Sequence, residues 1–214
     1  MNKKLDYKKE YKDLYQPKSK PSIVNVPEMN FIMVSGKGDP NSEVFQQAVE
    51  LLYGLSFTIK MSKMKGNQPE GYFEYVMPPL EGLWWIEDGE FSFRERDNWV
   101  WAIMIRQPEF VTDSVFQWAC NEYKRKKGVI DLSKVSFETY NEGLCVQAMH
   151  RGSYKNEPET VEKMKAFMVE NNLEERLMDG GKHHEIYLSD PRKTLPEKLR
   201  TIIRHPVKEK IGEE

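Results

Sequence analysis

The chain repeats itself, and the repeat restricts its fold more than any other feature. The apolar stretch Phe31-Ile32-Met33-Val34-Ser35-Gly36 reads as a strand, and Lys37-Gly38-Asp39-Pro40 turns out of it. A helix to about Met61 follows, with Asn41 or Ser42 as its cap and Val44, Ala48, Leu51, Leu52, Leu55 and Ile59 on one face. From Gly143 the pattern returns: an apolar strand, a basic residue (Arg151 for Lys37), a glycine (Gly152 for Gly38) and a turn. Asn156-Glu157-Pro158-Glu159 opens the second helix, with Pro158 near its first position and Val161, Met164, Phe167, Met168 and Leu173 on its apolar face. Two strands follow each helix. Each half therefore reads strand–helix–strand–strand, at 31–106 and 143–207, with a helix at 110–127 as the joint. The expected fold is α+β: tandem βαββ repeats, antiparallel sheets side by side, helices on one face and a ligand groove on the other.

The flanks are simpler. Residues 1–30 read as an arm, too short to hold a core of its own. Within it Tyr7, Tyr11, Leu14 and Tyr15 share one side of a short helix, and Pro17, Pro21 and Pro27 keep the chain extended. Residues 31–207 are expected to form one domain and 208–214 a tail. A net charge of -2 leaves no electrostatic footprint for nucleic acid. The basic run Lys124-Arg125-Lys126-Lys127 suits the dipole at a helix C-terminus. No apolar run reaches the length of a membrane span, and the N-terminus lacks the apolar segment of a signal peptide. Two cysteines without CxxC spacing fit a reducing cytoplasm.

The richest chemistry lies at His183-His184-Glu185-Ile186-Tyr187-Leu188-Ser189, a strand between Gly180-Gly181 and Asp190-Pro191. With a period of two, His183, Glu185, Tyr187 and Ser189 point one way, and His184, Ile186 and Leu188 the other. If a helix covers Ile186 and Leu188, then Glu185 and Tyr187 face water or a cavity. Nine aromatic residues fall between 72 and 101. If Ile86 faces the helices, Glu81, Leu83 and Trp85 face the cavity, while Trp99 and Trp101 share a face of the next strand. Apolar walls raise a carboxylate pKa, which suits Glu185 to general acid or base work, with Tyr187 as a hydrogen-bond donor. The plainer alternative stays open: tryptophans as core and Glu185 on the surface with a basic partner. No metal or cofactor is expected. His184-Glu185 begins an HExxH whose fifth position is Leu188, and Gly36-Lys37-Gly38 lacks the third glycine of a phosphate loop. Neither Ser35 nor Ser153 sits in GxSxG.

The stretches HHEIYLSDPRK, LPEKLRTIIRHPV, GLCVQAMHRGSYKNEP, PPLEGLWW and DYKKEYKDLY together resemble a stand-alone member of the GyrI-like small-molecule-binding family. The resemblance implies a duplicated βαββ fold of the SHS2 type, binding of planar aromatic or cationic drugs, and a groove glutamate at Glu185. PLEGLWW and HHEIYLSD are also similar to the cyclopropanoid cyclopropyl hydrolases, which add water across the strained ring of DNA-alkylating natural products inside an aromatic cage. That likeness implies Glu185 and Tyr187 as catalytic residues, and Glu81, Trp85, Trp101, Phe137, Met149 and Tyr154 as substrate contacts. The family also implies two alternatives: a drug sponge or sensor without turnover, and a protein-binding module like the gyrase inhibitor that names it.

Overall fold

The computed structural model describes residues 4–87 and 96–210. The arm forms two single-turn helices, α1 (Tyr7–Glu10) and α2 (Lys12–Tyr15), then strand β1 (Ser22–Val26). The first repeat is β2 (Met29–Lys37), α3 (Glu43–Lys60), β3 (Leu80–Trp85) and β4 (Val100–Arg106). α4 (Asp113–Lys127) and β5 (Val135–Tyr140) connect it to the second repeat. That repeat is β6 (Gly143–Arg151), α5 (Glu157–Glu170), β8 (His183–Tyr187) and β9 (Arg200–Glu209), with the short β7 (Leu173–Glu175) before β8. In sequence a hairpin through Asp88-Gly89 and the charged Arg94-Glu95-Arg96-Asp97 joins β3 to β4; of these, Asp88, Gly89, Arg94 and Glu95 lie outside the described residues.

All strands join one antiparallel sheet in the order β1-β6-β9-β8-β3-β4-β2-β5, with β7 added on β9. The repeats meet at its centre, where β3 pairs with β8 and Gly82 lies opposite Glu185. Side-chain oxygens fix the helix starts: Ser42 Oγ accepts from the Phe45 amide, and Thr112 Oγ1 from that of Val115. α3 and α4 cover one half of a sheet face through Ile32, Trp101, Ile103, Leu52, Leu55 and Phe116. α5 covers the other half of that face through Val146, Ala148, Ile203, Val161, Met164 and Met168. Gly36 admits the Trp101 indole to this layer, since a Cβ there would lie 2.2 Å from the ring. No helix among the described residues is long and apolar enough to cross a membrane.

The face away from these helices is where the sequence places a groove. The arm lies across that face, burying Tyr7, Leu14 and Tyr15 against the layer that includes Phe31, Leu83, Met104, Ile186 and Ile202. Ile186 and Leu188 pack beneath the arm rather than beneath a repeat helix. The central strands are apolar on both faces, so alternation separates the faces without saying which one the helices take.

An ionic network pins the arm. Arg204 donates to Leu14 O at 2.8 Å, to Gln147 Oε1 at 3.0 Å and to Glu142 Oε2 at 3.4 Å. Gln147 donates to Asp13 O at 2.6 Å. His184 sits between two carboxylates, with Nδ1 2.9 Å from Glu142 Oε2 and Nε2 3.0 Å from Glu81 Oε2. An imidazole flanked this way carries protons on both nitrogens. Burial alone would lower the His184 pKa, but Glu142 and Glu81 outweigh it and hold it up to about 9. A raised histidine stabilises the fold fully below its ordinary value of 6.5 and loses that contribution as pH rises through about 9. Accordingly, the stability gap between wild type and His184→Gln should shrink across that window. Denaturant melts at stepped pH measure it, and a constant gap would mean that the imidazole is neutral.

Candidate active site

On the helix-side face of the two central strands, β3 and β8, buried polar and aromatic side chains collect. β8 contributes His183, Glu185 and Tyr187, which alternate onto the helix-side face. β3 contributes Gly82 and Trp84. A Cβ at Gly82 would meet Trp84 Nε1 at 2.8 Å and Tyr187 OH at 3.1 Å, so the bare glycine leaves room for the Trp84 Nε1–H to donate to Tyr187 OH at 3.2 Å. Trp84 stacks on Phe45 of α3 at 5.5 Å and meets Trp99 edge-on at 5.2 Å.

The second repeat supplies the opposite wall. His150 of β6 bonds Thr160 Oγ1 of α5 at 2.9 Å and Ser153 O at 3.0 Å, fixing the turn that enters the helix. That turn places Tyr154 edge-on against Tyr187, with centroids 6.2 Å apart. The first turn of α5 then brings in Glu157. Glu157 is 3 % exposed and Glu185 5 %. Ligand atoms of Glu157, His183 and Glu185 all lie within 4.8 Å of one another.

The two carboxyls have different surroundings. Burial first, then the charge of Glu185, pushes Glu157 well above the usual carboxylate range, against a smaller opposing effect from Arg96. Glu157 Oε1 is buried and has no hydrogen-bond partner among the described residues. Glu185 Oε1 instead lies 3.1 Å from His183 Nε2, and its carboxylate also meets the Tyr187 hydroxyl. Of two close carboxyls, the one that accepts hydrogen bonds bears negative charge at lower cost. Burial, followed by the charges of Glu185 and Glu157, pushes the Tyr187 phenol well up, so it keeps its proton and can only donate or accept. A cation would have to displace a bond that His183 already makes, since Nε2 meets Glu185 and Nδ1 meets His205. The donor set therefore suits an acid–base pair better than a metal.

The structure brings together Glu185, Tyr187 and Tyr154. Trp101 lies on the same face, edge-on to Phe45 at 5.0 Å, and Phe137 stacks on Phe116 at 5.9 Å toward the β5 edge. Glu81, Trp85 and Met149 lie on the arm side, across the sheet from Glu157 and Glu185. Glu81 is bonded to His184, Met149 sits in the layer under the arm, and Trp85 is capped by the Lys182 ammonium at 4.2 Å. Sequence reading also passes over Glu157, His183 and Trp84. A surface depression of about 690 Å³ beside the arm, lined by Tyr11, Tyr72, Phe73 and Glu109 among others, includes none of the Glu157–Glu185 group. Both cysteines are buried thiols, and burial pushes each up and away from nucleophilic use.

Residues 19–208 match the GyrI-like small molecule binding domain. A conserved protein from Listeria innocua is 50% identical over 96% of this chain and 100% of its own, with a TM-score of 0.90. A hydrolase from Listeria innocua is 48% identical over the same shares, with a TM-score of 0.86. A further hydrolase structure from that organism is 49% identical, covers 96% and 100%, and has a TM-score of 0.89. Among curated proteins none matches. The chain belongs to the GyrI-like small molecule binding domain family.

Proposed function

We propose that this protein is a cytoplasmic hydrolase that adds water across the strained cyclopropane of planar DNA-alkylating molecules. The observation that carries the reading is the buried pair Glu157–Glu185, with Glu157 pushed well up by burial and Glu185 hydrogen-bonded to His183 and Tyr187. In a cyclopropane conjugated to a dienone, Glu185 takes a proton from water as the water oxygen bonds to the ring methylene. The ring C–C bond breaks, and its electrons pass into the dienone, whose carbonyl oxygen becomes a phenol oxygen. Glu157 supplies the proton to that oxygen. Tyr187 keeps its own proton and orients the pair, while Tyr154, Trp84 and Trp101 flank the flat body of the ligand. A positioned acid or base typically contributes ~10²–10⁴-fold, enough for a substrate already strained. The hydrolase names of two close Listeria relatives weigh toward turnover rather than passive binding.

Incubation with a cyclopropane-bearing alkylator of the duocarmycin type, followed by mass analysis, should show the ligand gaining one water. The rate should fall as pH rises through the raised value of Glu157, because the neutral acid is the active form. Unchanged ligand together with quenched tryptophan fluorescence would leave a binding protein for planar molecules and sink the hydrolytic reading for this substrate class.

A further inference from the structure

Behind Glu185 runs a buried line of hydrogen-bonded side chains. His183 Nε2 lies 3.1 Å from Glu185 Oε1. His183 Nδ1 lies 2.6 Å from His205 Nε2, and His205 Nδ1 lies 2.6 Å from Glu175 Oε1. Both histidines are 1 % exposed. The Glu175 side chain, on β7, is 24% exposed, so the line ends at the surface. Burial alone would raise the Glu175 carboxyl, but its bond to His205 and the charges of His205, Lys165 and His183 hold it below its usual value. Glu175 is therefore an anion.

Hydrogen bonding fixes the charge that this line holds. Each contact joins two atoms that bear lone pairs when unprotonated, so each contains one proton. With Glu175 ionised, the proton of the outer contact sits on His205 Nδ1. With Glu185 ionised, as in the reading above, the proton of the inner contact sits on His183 Nε2. The middle contact holds a third proton, and whichever ring carries it becomes an imidazolium. The two rings together bear one positive charge, equal and opposite to that of Glu185. Burial, helped by the charge of His183, pushes His205 down against the pull of Glu175 and Glu142, which sets that charge on His183, in contact with Glu185. Groups facing the line from neighbouring elements leave this balance intact. Burial first pushes Glu157, Tyr154 and Tyr187 up, so all three keep their protons. Arg96 acts on Glu157 and Asp190 on Tyr154, one charge of each sign. Glu142 is paired with His184 and Arg204 on the other face.

We propose that Glu175, His205 and His183 give Glu185 its own buried counter-charge, so that the cleft takes uncharged planar molecules and turns organic cations away. The proposal rests on the reading above for the cleft as ligand site and for Glu185 as the anion, but it needs no turnover. An unpaired buried carboxylate would draw a cation strongly. A carboxylate already paired with an imidazolium offers a cation little, while the cation still loses its hydration on entry. Aromatic walls favour planar ligands of both kinds, so the charge on the carboxylate decides between them. Glu175 is the specificity-determining residue at a distance: it acts on the ligand through two rings.

Acridine and N-methylacridinium have nearly the same outline, and in mildly alkaline buffer only the second is charged. A C-methylated acridine controls for the added methyl. Calorimetry with the wild-type protein should show the uncharged rings binding about 10-fold or more tightly than the cation. Equal or tighter binding of the cation would overturn the proposal, and so would absence of binding by all three. Glu175→Gln, isosteric and at a partly exposed position, tests the line itself. Its amide can donate to His205 Nδ1, which lets both rings become neutral, each donating from Nε2, and leaves the Glu185 charge uncompensated. The preference should then shrink about 10-fold, through tighter binding of the cation with acridine affinity unchanged. Glu175→Asp should keep the wild-type preference. An unchanged ratio in Glu175→Gln would overturn the proposal. A wild type that leaves the alkylator unhydrolysed yet prefers acridine would sink the hydrolase reading and leave the counter-charge standing.

Discussion

Glu185→Gln is expected to bind a planar, uncharged alkylator about as well as wild type and to hydrolyse it about 10²–10⁴-fold more slowly. The amide oxygen can still accept from His183 Nε2, so the cleft keeps its shape. What is lost is the proposed base. Loss of kcat without loss of binding is the mark of an interaction made only in the transition state. Mass analysis of product and tryptophan quenching read the two quantities separately, since Trp84 and Trp99 line the strand ends beside the site. Glu157→Gln should slow turnover as well but should flatten the high-pH limb, because Glu157 is the group held neutral by burial. A cationic ligand separates the readings further, since loss of the Glu185 charge would then weaken binding itself. Retention of the wild-type rate by Glu185→Gln would remove the glutamate base from the mechanism.

Much of this arrangement was legible in the chain. Duplication of the strand–helix–strand–strand pattern is written in the apolar periodicity at 31–106 and 143–207, and α3, α5, β6, β8 and β9 follow it. The alternation of His183, Glu185 and Tyr187 against His184, Ile186 and Leu188 is likewise seen in the structure. What periodicity cannot give is the identity of each face. In Leu80-Glu81-Gly82-Leu83-Trp84-Trp85 both sets of alternate positions are apolar enough to be core, and the arm that closes one of them comes from about 70 residues away in sequence. Glu157 was invisible for another reason. An acidic residue in the first turn of a helix, beside Pro158, is ordinary partnering of the helix dipole. His183 and His205 are 22 residues apart, and only the β8–β9 register, with His184 opposite Arg204, brings them together.

The same register sets Arg204 on the other face, opposite His184. Arg204→Ala should cost about 3–5 kcal/mol of stability, the usual penalty for removing one partner of a buried ion pair. Arg204 is 1 % exposed. Its loss leaves Leu14 O and one carboxylate oxygen of Glu142 short of a donor, and Gln147 loses its anchor. Denaturant unfolding measures the cost. Hydrogen exchange should localise it, with amides of α1 and α2 opening before those of the β6–β9 pairing. A single-variant loss under about 1 kcal/mol would mean that Tyr7, Leu14 and Tyr15 hold the arm by apolar burial alone. The sheet lies between Arg204 and Glu185, so the variant that frees the arm should leave the Glu157–Glu185 chemistry working in whatever fraction stays folded. Adjacent residues on one strand thus serve separate ends: His184 holds the arm on one face, while His183 serves the carboxylate pair on the other.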